Sequence, residues 1–158
     1  MLIKSFFLVV KVKPEEKLQI IGSGTYLNYL KKLSLKLNLK KNIIFRGYIE
    51  NNKLDKYYQM SKAVIIPSII LENITLVGIE AIKNKTFIIA SNIGGIPDLI
   101  KNNNGILFEP NNINQLAKIM LDEKKFKNNY DNIKDYKMYS KEYKYARLME
   151  VYNQKINE

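Results

Sequence analysis

The chain has 158 residues, 46% of them hydrophobic and 26% charged, a balance that excludes wholesale disorder and fits one domain or one lobe of something larger. Its formal charge is +11, and it has neither cysteine nor histidine, so disulfides, thiolate metal sites, Cys nucleophiles and the usual catalytic base near neutral pH are excluded. No apolar run reaches the roughly 18 residues of a membrane-spanning helix.

Met1–Val10 carries a single charge, Lys4, and lacks both the basic start and the small-residue cleavage site of a signal peptide. Leu2, Ile3, Phe6, Val9 and Val10 instead fit one buried helix face. Leu18–Ile21 reads as a strand, and Tyr26, Leu27, Leu30, Leu33 and Leu37 then recur at helical spacing. Ile43–Phe45 is a second strand, followed by a short helix marked by Leu54, Tyr57 and Tyr58. After a third strand, Ala63–Ile66, a helix is expected from about Thr75 to Lys83, with Leu76, Ile79, Ala81 and Ile82 turned largely inward. Phe87–Ala90 and a short Ile106–Phe108 complete the strands, and Asn111–Asn112 would cap a helix over Ile113–Leu121. Tyr139, Tyr143, Ala146, Met149 and Tyr152 predict a last amphipathic helix over about 137–156.

The strands are nearly all apolar, as parallel strands covered on both faces are. Their alternation with helices predicts an α/β fold, a Rossmann-like open parallel sheet with helices on both faces. A domain of this class starts with a strand. This one starts with a helix, so a first strand is expected to be missing upstream.

Four loops carry the candidate chemistry, each just after a strand or entering one. Gly22-Ser23-Gly24 could bring backbone amides to a phosphate or ribose, although Leu27 stands where a dinucleotide fingerprint has its third glycine; taken alone, the motif reads more readily as an ordinary strand-to-helix turn. Pro67-Ser68 leads to Glu72-Asn73-Ile74-Thr75-Leu76 and then Glu80-Ala81, at the ligand-binding end of an open sheet. Glu72 in the loop can reach a polar ligand, Glu80 on the helix can accept from vicinal hydroxyls, and the free amides of the first helical turn suit a pyrophosphate between them. A nucleotide-diphosphate sugar has all three groups. Taken singly, Glu72 is as readily a cap and Glu80 a surface residue. Gly94-Gly95-Ile96-Pro97-Asp98 forms a tight loop, and Asn104-Gly105 is a turn into an edge strand.

In this order the pieces resemble the C-terminal, donor-binding lobe of retaining glycosyltransferases with the GT-B fold, the glycosyl transferases group 1 family. Its pattern of Gly-x-Gly, Phe-x-Gly, Pro-Ser, Glu-x(7)-Glu-Ala, Gly-Gly-x-Pro-Glu and Asn-Gly is met by Gly22/Gly24, Phe45/Gly47, Pro67-Ser68, Glu72/Glu80-Ala81, Gly94-Gly95-x-Pro97-Asp98 and Asn104-Gly105. The likeness runs from Leu2 to about Tyr152, densest over 18–122, so that residues 1–158 form a single lobe. It implies that Glu80 holds the ribose hydroxyls and that Glu72, the catalytic candidate, contacts the donor sugar. Asn73, Ile74, Thr75 and Leu76 would face sugar and diphosphate through their backbone. Gly47, Tyr48 and Ile49 would line the base pocket, with Gly22, Gly24 and Ser68 as further binding positions. Such members transfer a sugar to an acceptor hydroxyl on one face of the donor, by positioning and electrostatics rather than a protein base, with no metal and no cofactor. Uridine and guanosine donors both remain open.

Thr75 stands where many members have Gly, Lys85 and Phe87 replace a usual Gly and Pro, and Asp98 replaces Glu. The family's Arg and Lys-Gly on the first strand and loop, which neutralise the diphosphate, would fall before Met1, as would the N-terminal acceptor lobe. The chain is therefore expected to be a truncated fragment, inactive alone, of a cytoplasmic enzyme.

Two rival readings remain, a non-catalytic nucleotide- or sugar-binding module that uses the same loops, and, from the charge, a basic peripheral binder of anionic lipid or nucleic acid. Residues 1–66 hold 13 basic against 4 acidic side chains, whereas residues 67–120, which hold the second and third motifs, have 4 of each. Of 26 basic residues only Arg46 and Arg147 are Arg, the residue that sequence-specific nucleic-acid readout favours. No specific nucleic-acid partner is expected; peripheral contact with an anionic membrane remains open.

Overall fold

The structure, a computed structural model, describes residues 1–73, 75–100 and 103–126. Ile74 and the helix expected over 137–156 lie outside the described residues. Helix α1 (Leu2–Val12) buries Ile3, Phe6 and Val9, one residue per turn, while Leu2 and Val10 are half-buried. A short link leads to β1 (Leu18–Ile21), and α2 (Leu27–Lys36) crosses to β2 (Ile43–Gly47), which pairs with β1 in parallel. Then follow α3 (Asp55–Met60), β3 (Val64–Ile66), α4 (Leu76–Lys83), β4 (Ile88–Ser91), β5 (Gly105–Phe108) and α5 (Ile113–Leu121). The α5 cap is the expected one: Asn112 Oδ1 accepts the Gln115 amide at 3.0 Å, satisfying an N–H that the first turn leaves unpaired.

Helices cover both faces, as the alternation predicts. Ile88 and Ala90 of β4 pack with Ile66, with Tyr58 of α3 and with Ala81 and Ile82 of α4. Phe87 and Ile89, pointing the opposite way, pack with Phe108, with Leu116 and Ile119 of α5 and with Phe126. Each such large apolar side chain, fully buried, contributes about 1.5–3 kcal/mol. A third cluster joins Ile3, Phe6 and Val9 of α1 to Leu39, Ile43 and Ala117.

Three expectations need correction. The sheet is not continuous: β1 pairs only with β2, and β3-β4-β5 form a second parallel sheet. Of the five strands only β4 is buried along its whole length, whereas β1 and β3 are half-exposed because one edge of each borders a gap. Leu76, expected inward, is 75% exposed, because it opens the first turn of α4 where the helix surface faces solvent. Lys85, which replaces a glycine of the resembled pattern, takes φ 55°, a left-handed conformation that costs a lysine about 1 kcal/mol.

One end of the gap is tied by charge. Lys13 Nζ meets Glu123 at 2.7 Å, and Lys62 Nζ meets Glu16 at 2.7 Å and Glu123 at 3.2 Å. The Lys13 and then the Lys62 ammonium hold the Glu123 carboxyl down at about 2, below its ordinary 4.5. A lowered folded-state pKa stabilises above the unfolded value, so this contribution should be lost as pH falls from 4.5 toward 2. Urea titrations across that range should show a shallower acid loss for Glu123→Gln than for wild type; identical slopes would mean that the cluster adds nothing.

Candidate functional site

Because the strands within each sheet are parallel, the loops that follow them collect at one end, and the sequence-flagged residues fall there. After β3 the chain runs through Pro67 and Ser68 to Glu72. Ser68 Oγ donates to Glu72 Oε1 at 2.5 Å, fixing the carboxylate of a half-buried loop residue. The Gly94–Gly95 turn lies directly against this loop. Gly95 donates its amide to the Glu72 carbonyl at 2.8 Å, and a methyl group at Gly95 would overlap the Asn73 carbonyl. Gly94 sits at φ 57°, where a side chain would meet the Glu72 backbone. Glycine is required at both positions by close approach of two backbones.

Thr75 is the N-cap of α4. Its backbone is extended and its Oγ1 accepts the Gly78 amide at 3.0 Å, so an ordinary Thr cap fills the place where the resembled pattern often has Gly. The amides of Leu76 and Val77 have no acceptor within the helix, and the helix dipole adds partial positive charge beside them. Further along α4, half-buried Glu80 accepts a hydrogen bond from the Tyr58 hydroxyl at 2.7 Å through Oε2. Burial, and then the Glu80 carboxylate, push the Tyr58 hydroxyl well above the usual tyrosine range. Tyr58 therefore stays a donor at every physiological pH and leaves Oε1 of Glu80 for another partner.

The loops after β1 and β2 form a second group. Gly22 donates its amide to the Gly47 carbonyl at 2.7 Å, with φ 123° at Gly22 and 69° at Gly47. Gly24 has an ordinary φ and open space around it, so the protein itself makes no demand for glycine there. Tyr48 and Asn73 are exposed and Ile49 is half-buried. Among the described residues, no hydrogen bond or ion pair joins the Gly22–Gly47 group to Glu72 or Glu80.

Sequence reasoning missed Tyr58 as the partner of Glu80, reading it as part of a helical apolar stripe. It flagged Gly94-Gly95 without assigning the role the structure displays, which is to hold the Glu72 loop. Paired glycines ahead of a helix-starting proline were the available signal. Among the described residues no three His, Cys, Asp or Glu cluster as a metal site, and no helix is long and apolar enough to cross a membrane.

The pattern of the family described as "Glycosyl transferases group 1" matches residues 1–142. The chain belongs to this family. It is similar to the uncharacterized glycosyltransferase MJ1607 of Methanocaldococcus jannaschii, 34% identical over 102 residues, which cover 64% of this chain and 26% of the relative. Among solved structures it resembles a point mutant of S. aureus TarM in complex with fondaparinux, alpha-GlcNAc-glycerol and UDP, with a TM-score of 0.82 and 28% identity over 96% of this chain and 32% of that one. It also resembles the C-terminal domain of a glycosyl transferase group 1 family protein, LpcC, from Francisella tularensis, with a TM-score of 0.71 and 27% identity over 85% of this chain and 74% of that one. The chain thus spans about a quarter of the length of MJ1607 and a third of TarM. Its GT-B-type neighbours carry the same α/β architecture of parallel strands and flanking helices.

Proposed function

We propose that this chain is the donor-binding lobe of a retaining glycosyltransferase, and that it holds a nucleotide-diphosphate sugar for transfer to an acceptor hydroxyl. The observation that carries the reading is the β3–α4 segment. There the Ser68-braced Glu72, the Thr75-capped start of α4 and the Tyr58-braced Glu80 bring two carboxylates and the first-turn amides of a helix into one short segment. The amides suit the diphosphate, Glu80 the ribose diol and Glu72 the sugar hydroxyls. The Gly22–Gly47 pair and Tyr48–Ile49 supply a second wall, for the base. Likeness to an isolated C-terminal family domain supports the lobe assignment, and UDP in the TarM complex supports the donor class.

In this mechanism the chain contributes position and field. Helix amides offset charge building on the leaving diphosphate, which itself takes the acceptor proton, while Glu72 orients the sugar for attack on the face the diphosphate leaves. No protein base is needed, in keeping with a chain without histidine. The acceptor lobe and the cations that neutralise the diphosphate would come from outside these residues. Alone, the chain is expected to bind donor weakly and to transfer no sugar.

The test joins this chain to an acceptor lobe and follows transfer from a UDP- or GDP-sugar by NMR. The product should keep the donor's anomeric configuration, and Glu72→Gln should lower kcat about 100-fold with donor KM within a few-fold. Inverted product would overturn the retaining assignment. Wild-type turnover in Glu72→Gln would remove Glu72 from the site.

A further inference from the structure

Lys13, Lys53, Lys62, Lys83 and Lys125 each meet a carboxylate at 3.2 Å or less. Helix α2 and the turn behind it are different. Residues 17–49 hold seven basic side chains and not one acidic residue. Lys31, Lys32 and Lys36 of α2, with Lys40 and Lys41 of the turn, are exposed and form no ion pair among the described residues. Lys17 Nζ donates to the Lys41 carbonyl at 2.8 Å, which brings one more ammonium to the same corner.

The helix has two distinct sides. Leu30, Leu33 and Leu37 pack inward against the cluster that holds Phe6, Leu39 and Ile43. The outer side carries Lys31, Lys32, Leu35 and Lys36, neighbours at three- and four-residue spacing, with Tyr29 one turn ahead of Lys32. Lys32 and Lys36 repel one another across that turn, and no acidic neighbour offsets it. Tyr29 is 58% and Leu35 55% exposed, so an aromatic ring and an aliphatic side chain stand in water among the lysines. A negative surface with an apolar layer beneath it answers both features. Lysine stems lie along apolar surface while their ammoniums stay hydrated, and tyrosine settles at the level of lipid headgroups. Nucleic acid answers the charge alone: phosphates give nothing to Leu35, and the α2 face has no arginine for base readout.

We propose that the outer face of α2, with the turn that holds Lys40 and Lys41, docks this chain on a bilayer rich in anionic phospholipid. The helix lies in the plane of the interface. Tyr29 and Leu35 enter between the headgroups, and the lysines sit over the lipid phosphates. Leu39 is buried and its amide bonds the Ser34 carbonyl at 2.8 Å, so Lys40 and Lys41 are held at the helix end by an anchored turn. The face contains none of the donor-site residues, so this reading and the donor reading fail separately.

The test uses the whole chain and vesicles of phosphatidylcholine with about one third phosphatidylglycerol. The chain has no tryptophan, so Leu35→Trp introduces a single indole. Its emission should shift to the blue on these vesicles and stay unchanged on pure phosphatidylcholine. Met60→Trp, at a position of α3 that is 81% exposed, should show no shift on either. Co-sedimentation with the anionic vesicles should weaken about 10–100-fold for Lys31→Gln/Lys32→Gln/Lys36→Gln, with the urea midpoint unchanged. Lys53→Gln/Lys83→Gln/Lys125→Gln removes as much positive charge from paired sites and should bind like wild type. Leu35→Ser should weaken binding several-fold at high salt as at low, because its contribution is apolar. No blue shift at Leu35→Trp, an equal shift at Met60→Trp, or undiminished co-sedimentation of the triple α2 variant would overturn the proposal. So would binding to a DNA duplex as tight as to the vesicles and insensitive to Leu35→Ser, since nucleic acid would then be the partner.

Discussion

Gly95→Ala is expected to destabilise the chain by about 3 kcal/mol, while Gly24→Ala stays within about 0.5 kcal/mol of wild type. The contrast follows from what each new methyl group meets. At Gly95 it overlaps the Asn73 carbonyl, and Gly95 also donates to the Glu72 carbonyl, so the turn cannot withdraw without breaking that bond. At Gly24 it meets nothing within 4 Å at an ordinary φ. Urea unfolding of the two variants measures the difference. Since the overlap pushes on the backbone that carries Glu72, Gly95→Ala should also weaken donor binding. A Gly95→Ala midpoint equal to wild type would mean that the two loops do not pack as described.

A second large effect is expected at Glu80. If its carboxylate holds the ribose diol, Glu80→Ala removes charge-assisted hydrogen bonds of about 1.5–3 kcal/mol and should weaken binding of a nucleotide-diphosphate sugar about 10–100-fold by calorimetry. Tyr58→Phe keeps the carboxylate but frees it to rotate. It should cost about 1 kcal/mol of stability and weaken binding several-fold, less than Glu80→Ala. Unchanged affinity in Glu80→Ala would exclude Glu80 from the site, and a Tyr58→Phe effect larger than that of Glu80→Ala would show that Tyr58 itself touches the ligand.

The candidate site was legible to different depths at different residues. Glu72 and Glu80 stood out because their spacing falls where an apolar strand gives way to a helix, and that junction is written in local sequence. Thr75 and Asn112 were legible at helix starts for the same reason: an N-cap bonds only two or three residues ahead. Tyr58 was not, because its partner lies 22 residues away, across the packing of α3 on α4. Nor was the role of Gly95, whose neighbour Asn73 approaches from another strand's loop.

The fold divides along the same line. Apolar runs and helical periodicity alone determined which segments are strands and helices, that the strands are parallel and that helices cover both faces, because these depend on residues a few positions apart. The placement of Leu76 was misread, since periodicity selects a stripe but not where along a helix the neighbouring layer ends. Only the tertiary structure decided that the strands make two sheets with a gap between β1 and β3. Strand pairing is a contact between segments far apart in sequence, and an apolar strand looks the same whether its edge is paired or open.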